Sequence, residues 1–315
     1  MFDIVFLGTS ASAPSIDRGL SSALVLHRDQ RFMIDCGEGT QRQLLRSGLG
    51  FRKLDKILLT HGHLDHMLGL GGLVSTFSRW EAIAALSIYG GPWALQRVSD
   101  LMNVVLRGGE AEMDINFIPV STGMVWRDEY LTISAFPVSH RGPGCFGYVF
   151  QEPGHRPFLV AKAEQLGVPR GPERKHLVQG ESIILADGRI LRPEDVLGPE
   201  EAGVKCVHVG DTGNVSDLVT VCHGADALVI ESTYTSYEAD MAARFGHLTA
   251  AQAAHLAADA NIGTLFLVHL SRRYSERDIY REACGIFPNT IVPRDLDCYR
   301  VGKGTAERVE LEHGA

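Results

Sequence analysis

The stretch THGHLDHMLGLGG, Thr60 to Gly72, sets three histidines and an aspartate within six residues, directly after the apolar run KILL. A packed core has no use for such a cluster, because buried imidazole and carboxylate groups cost free energy unless they are paired. Both groups are ligands for zinc and similar divalent cations. Four of them close a structural zinc site, and a catalytic site keeps one position for water. The H-x-H-x-D-H spacing of His61, His63, Asp65 and His66 is too tight for one face of a helix and suits a loop folded around a pair of metals.

Further ligand types stand at the ends of later apolar runs: His140 after FPVS, Asp211 after VHVG and His269 after LFLV. Taken singly, each reads better as a strand-end surface or capping residue. Strand ends on one rim of a sheet converge in space, and together with the first cluster they supply seven ligands, enough for two metals and a bridging carboxylate. Two metals roughly 3.5 to 4 Å apart can share a hydroxide as nucleophile and neutralise charge on an attacked phosphoryl group, so the predicted class is metal-assisted hydrolysis.

Around these positions the chain alternates strands and helices. FDIVFLG, SSALVLH, RFMIDCGEG and DKILLTHGH read as strands, and TQRQLLRSG as a short helix closed by Gly48. ALQRVSDLMNVVL reads as a helix, LTISAFPVSH, GYVF, VKCVHVGDTG, DALVIEST and TLFLVHLS as strands, and TAAQAAHLAADA as a helix starting near Thr249. The pattern predicts an α/β protein whose sheets are covered by helices. Residues 151–203 differ: rich in Pro and Gly, they form a long excursion whose segment RGPERKHLVQG gathers Arg170, Arg174 and Lys175. Composition alone fits an irregular surface loop and a binding arm equally well.

At 315 residues and 45% hydrophobic, the chain can bury a large core in one large domain or two smaller ones. It holds no apolar stretch of the ~20 residues a membrane span needs, and its opening MFDIVFLG, with Asp3, lacks the pattern of a signal peptide. A cytoplasmic protein with no membrane partner is the expectation. The six cysteines form no CxxC pair and read as reduced, mostly buried thiols. A net charge of -8 argues against indiscriminate coating of nucleic acid, so a polyanionic partner would have to meet a local basic patch.

THGHLDHMLGL resembles the signature of the metallo-β-lactamase superfamily. Within it, FLGTSASAPS, MIDCGEGTQRQL, LGVPRGP, GDT, GHLTAAQAA and HLSRRY resemble the ribonuclease Z family over nearly the whole length, GEGTQ being the segment most specific to that branch. The resemblance implies a single 1–315 domain with an αββα sandwich of two mixed β-sheets flanked by helices, and an activity that removes 3′ trailers from transfer RNA precursors. It implies two zinc ions per subunit, with manganese or iron as substitutes: His61, His63 and His140 on one, Asp65, His66 and His269 on the other, and Asp211 bridging. Asp65 then also serves catalysis, and Asp35 in IDCGEG orients ligands.

His247 matches the family histidine that stabilises the transition state or protonates the leaving oxygen, a need set by the poor leaving ability of an alkoxide; by position alone it is equally a neighbour of a helix cap. Glu231 matches the glutamate that holds that histidine, while Ile230 stands where the family has histidine. The family also implies a homodimer and an RNA-gripping arm within 151–203, where Arg174 and Lys175 would contact substrate. The arm here reads GPERKHLVQG instead of GPLYGKLKxG. Arg273 in HLSRRY would contact a phosphate, or form an ordinary salt bridge. The competing expectations are a binuclear phosphodiesterase of the same fold acting on small-molecule esters and a catalytically silent RNA-binding scaffold.

Overall fold

The computed structural model describes residues 1–80, 83–106 and 113–311. The chain divides into two compact units, Met1–Gln151 with Val204–Ala315, and Glu152–Gly203. In the larger unit, alternation along the strands decides the layering, because successive side chains point to opposite faces of a sheet. Along Phe2–Gly8, the side chains of Phe2, Ile4 and Phe6 enter one apolar cluster, and those of Val5 and Leu7 enter another. Along Ala227–Glu231, Ala227 and Val229 join the same first cluster, whereas Leu228 and Ile230 enter a third.

The shared cluster therefore lies between two sheets. One runs Thr305–Val309, Cys298–Gly302, Phe2–Gly8, Ser22–His27, Gln30–Ile34, Lys56–Leu58, Ala85–Gly90 and Asp114–Pro119 in spatial order. The other runs Thr290–Ile291, Thr264–Val268, Ala227–Glu231, Lys205–His208, Phe146–Gln151, Thr132–Pro137 and Gly123–Arg127. Both sheets are mixed. The outer face of the first is covered by helices Gly69–Trp80 and Pro92–Val105, that of the second by Ala250–Asp259 and Glu276–Cys284. This is the αββα sandwich. Strands buried on both faces are apolar throughout, which is why they read as continuous runs.

The topology also aims the site. In the first sheet, Gln30–Ile34, Lys56–Leu58, Ala85–Gly90 and Asp114–Pro119 run parallel; in the second, Lys205–His208, Ala227–Glu231, Thr264–Val268 and Thr290–Ile291 do so. Thr132–Pro137 has the same sense, being antiparallel to Phe146–Gln151, which is antiparallel to Lys205–His208. Asp35, the Thr60–His66 loop, His140, Asp211, Glu231 and His269 all sit at or just beyond the carboxyl ends of such strands.

The helix expected from Thr249 spans Ala250–Asp259 with Thr249 as its cap: Thr249 Oγ1 accepts from Gln252 N at 3.2 Å and Gln252 Oε1 accepts from Thr249 N at 2.9 Å. Within residues 151–203, expected as an excursion of weak periodicity, Gln151 ends a strand of the second sheet, and Glu152–Gly203 holds helices Val160–Gln165 and Pro172–Val178 and the hairpin of Ile183–Ile184 with Ile190–Leu191. Ala163, Val168, Leu177, Ile183, Leu185, Leu191 and Val196 form that unit's own apolar core. Elements of two to seven residues are too short to show a hydrophobic period, so the sequence reads as a loop there.

Five cysteines are buried and Cys284 is partly exposed. Burial pushes the thiols of Cys36, Cys222 and Cys298 up to about 12 and that of Cys145 to about 11. A thiol reagent at pH 8 is therefore expected to titrate one cysteine in the native protein, lost in Cys284→Ser, and all six after denaturation. More than one fast-reacting native thiol would contradict this packing.

Candidate metal centre

The loop after Lys56–Leu58 turns through a short 3-10 segment, Leu64–His66, which carries four side chains into one space. Gly62 lies over Trp93, where a Cβ would come within 2.9 Å of the indole Cε3, so a larger residue between His61 and His63 would push the loop away. The indole meets the His63 ring edge to face, with centroids 5.5 Å apart. Gly210 holds φ at +75°, the left-handed turn that delivers Asp211.

The predicted ligands fall into two groups, His61, His63, His140 and Asp211, and Asp65, His66 and His269, and a third group of Asp211, His247 and His269 overlaps both, with the ligand atoms of each within 4.8 Å of one another. His63 Nδ1 lies 2.8 Å from His61 Nε2 and 3.2 Å from His140 Nε2. Asp211 Oδ2 stands between the groups, 3.2 Å from His269 Nε2, 3.3 Å from His66 Nε2, 3.8 Å from His61 Nε2 and 3.9 Å from His140 Nε2. Asp65 Oδ2 is 3.4 Å from His269 Nε2 and accepts from Ser12 N at 2.9 Å.

Two buried carboxylates orient this cluster in the same way from opposite sheets. Asp35 accepts from Thr60 N and Thr60 Oγ1, both at 2.8 Å, and pairs with His66 Nδ1 at 2.7 Å. Because the Thr60 hydroxyl gives its proton to Asp35, it accepts from His61 Nδ1, 3.0 Å away. Asp35 sits at φ 57°, uncommon outside glycine, and its N–H to Leu58 O together with these bonds holds it there. Glu231, fully buried, accepts from Thr212 N at 2.8 Å, His247 Nδ1 at 2.9 Å, Leu248 N at 3.2 Å and Thr233 Oγ1 at 2.5 Å. The Thr233 hydroxyl in turn accepts from His269 Nδ1 at 2.8 Å. His140 Nδ1 donates to Gly246 O at 2.7 Å.

Each of His61, His66, His140 and His269 thus has one ring nitrogen fixed and the other turned inward, the arrangement that prepares an imidazole to bind a metal. Two further observations fit a divalent cation: His66 Nε2 is buried with no hydrogen-bond partner, and the inward donors face one another rather than proton donors. Burial, with repulsion from neighbouring imidazoles, holds His61 well below the usual histidine range and His63 at about 4, leaving their lone pairs free. Burial opposes charge on His66 and His247 too, but Asp211 and Asp35 hold the former well above the ordinary value, and Glu231 raises the latter.

His247 stands at the edge of this cluster, Nδ1 3.9 Å from Asp211 Oδ2, and also lines a cleft of about 560 Å³ together with Arg141, Tyr234, Phe245, Arg272 and Arg273. Arg141, Arg272 and Arg273 are exposed, a local basic patch in an acidic protein. Arg273 pairs with Glu238 at 3.6 Å with half its side chain open to solvent. In the Glu152–Gly203 unit, Arg174 donates to Pro169 O and Val168 O and keeps only 19% of its side chain exposed, whereas Lys175 is exposed. Much of the Arg174 charge therefore serves its own unit. Ile230 is buried in the outer apolar cluster of its sheet, and Glu231 reaches His247 without a histidine at that position. Sequence reading missed Thr60, Thr233, Arg141 and Tyr234; Thr60 directly precedes His61 and Thr233 follows Glu231 by two residues, the one signal that points to them.

Residues 2–131 match the family model described as anti-Pycsar protein Apyc1, and residues 196–270 that of the beta-lactamase superfamily domain. The chain is 47% identical to ribonuclease Z of Bradyrhizobium diazoefficiens over 297 residues, 94% of this chain and 99% of that protein. It is 36% identical to ribonuclease Z of Gemmatimonas aurantiaca over 295 residues, 92% of this chain and 93% of that protein. Among solved structures it resembles the short form of human tRNase Z, with a TM-score of 0.67 and 25% identity over 95% of this chain and 99% of that one. The metallo-beta-lactamase fold protein YhfI of Bacillus subtilis has the same fold, with a TM-score of 0.67 at 16% identity over 94% of this chain and 98% of that one. Fold, ligand geometry and full-length similarity agree: the chain belongs to the ribonuclease Z family of the metallo-β-lactamase superfamily.

Proposed function

We propose that this protein is a zinc-dependent endoribonuclease that cuts the 3′ trailer from transfer RNA precursors. Full-length similarity to ribonuclease Z carries the substrate class, and the convergence of seven ligand side chains on Asp211 Oδ2 and its surroundings carries the chemistry. His61, His63, His140 and Asp211 would hold one cation, and Asp65, His66, His269 and Asp211 the other. Five imidazoles and two carboxylates suit zinc, and manganese or iron would also be accepted. When bound there, two such cations lower the pKa of water and offset charge on the phosphoryl oxygens.

The chain's own groups do the rest. Asp65, with 15% of its side chain exposed, stands where the cluster meets solvent and takes the proton of the attacking water. The new P–O bond forms as the bond to the 3′ oxygen breaks, and His247, with Nδ1 tied to Glu231, gives a proton from Nε2 to that oxygen. The products are a 3′-hydroxyl on the transfer RNA and a 5′-phosphate on the trailer. Arg141, Arg272 and Arg273 meet the RNA backbone at the cleft, and Lys175 provides a contact from the Glu152–Gly203 unit, which serves as the RNA-binding arm. A cytoplasmic homodimer completes the proposal, supported by family membership; among the described residues no helix is long and apolar enough to cross a membrane.

Three outcomes are expected. His66→Ala and Asp65→Ala should lower the single-turnover cleavage rate by about 10³-fold or more with circular dichroism unchanged, since each tenfold is ~1.4 kcal/mol of the charge stabilisation a metal pair supplies; a wild-type rate in either would remove the mechanism. His247→Ala should reduce kcat by roughly 10² to 10⁴ with KM little changed, and Glu231→Gln by roughly 10 to 100. Because Gln151 and Lys205 are register partners on adjacent antiparallel strands, residues 152–203 can be replaced by a short turn. That variant should keep its turnover of bis(p-nitrophenyl) phosphate and lose precursor cleavage, scored by mapping the 3′ end produced. An unchanged precursor rate would instead favour a phosphodiesterase acting on small esters.

A further inference from the structure

His208, three residues before Asp211, has no part in the mechanism above. It ends the strand Lys205–His208, and alternation from Cys206, which lies in the inter-sheet core, turns it inward between the sheets. There it is 9% exposed, and its Nδ1 has no hydrogen-bond partner. A buried polar atom left unpaired costs roughly 1 to 3 kcal/mol, so an unpaired ring nitrogen at such a place calls for an explanation.

Two other observations meet it. A small cavity of about 20 Å³ is lined by His208 together with Ser22, Asp35, His66, Asp211 and His269. That volume holds one water, which needs at least ~10 to 15 Å³ and two to four polar partners. The second observation is Asp211 itself: Oδ2 faces the imidazoles of both ligand groups, whereas Oδ1 is buried without a partner. The residues that line the same cavity thus include one with an unpaired ring nitrogen and one with an unsatisfied carboxylate oxygen.

We infer that His208 is a positioning residue for Asp211, acting through a single buried water that bonds His208 Nδ1 and donates to Asp211 Oδ1. The bridge fixes the carboxylate so that Oδ2 alone is presented to the two ligand groups. Without it, the carboxylate is free to rotate, and the bridging oxygen is no longer fixed before metal arrives. The inference rests on the metal-centre reading given above.

The test compares His208→Leu, which fills the space without a polar atom, with His208→Asn, whose amide reaches the place of Nδ1. Zinc affinity is measured by competition with a chromophoric chelator, and kcat and KM on a transfer RNA precursor. The leucine variant should bind zinc roughly 10- to 100-fold more weakly and lose kcat with KM unchanged, as removal of groups that orient ligands does; the asparagine variant should recover most of both. A folded leucine variant with wild-type zinc affinity, or an asparagine variant as weak as leucine, overturns the inference. Should His208→Leu not fold, a high-resolution crystal structure of the wild type decides: a water joining His208 Nδ1 to Asp211 Oδ1 supports it, and an empty cavity overturns it. A wild-type protein that takes up no zinc overturns the metal-centre reading, and the inference with it; the other failures leave that reading standing.

Discussion

Two carboxylates removed from water, Asp35 and Glu231, are what the rest of the centre depends on. Burying a charge is unfavourable unless it is paired and hydrogen-bonded, and here both are: three donors meet Asp35 and four meet Glu231. Each grips one imidazole directly and a second through a threonine hydroxyl, so two carboxylates set the direction of His61, His66, His247 and His269. One carboxylate comes from each sheet. Neither sheet alone could assemble the site, and the apolar layer between them is what keeps the two halves in register.

That dependence explains which parts were legible in the sequence. The strands were readable because both faces are buried and the runs are apolar, and the tight cluster at His61 to His66 was readable because no structural role favours it. His140, Asp211 and His269 could be read only in company, since nothing local separates a ligand from a strand-end polar residue. Asp35, Glu231 and His247 entered by resemblance. Thr60 and Thr233 stayed invisible because a threonine after a strand carries no local mark of which hydroxyl partner it will meet across the fold. The content of the small unit between Glu152 and Gly203 was illegible, because its helices are shorter than the window over which a helical period shows.

The basic residues illustrate the same limit from the other side. Composition could say that an acidic chain would need a local cationic patch. Only the fold shows that Arg141, far off in sequence, joins Arg272 and Arg273 in lining the cleft next to His247, while Arg174, prominent in the sequence, turns back to the backbone of its own unit. Phosphate contacts position a nucleic acid without reading its bases, so in the proposed role a patch beside His247 would provide backbone register, and discrimination among RNAs would fall to shape.

The Glu152–Gly203 unit departs from and returns to neighbouring strands, Gln151 opposite Lys205, and carries its own core of seven small and medium side chains. A core of that size makes it a separate cooperative unit with a low opening free energy, one that can exchange its amide hydrogens while the sandwich stays closed. Its closed ends mean that melting it costs the sheet no strand register and little loop entropy. On warming, with that unit in its proposed role as RNA-binding arm, such a protein is expected to lose its grip on large RNA at a temperature where the catalytic pocket is still intact, so heat would change what it cleaves before it changes whether it cleaves.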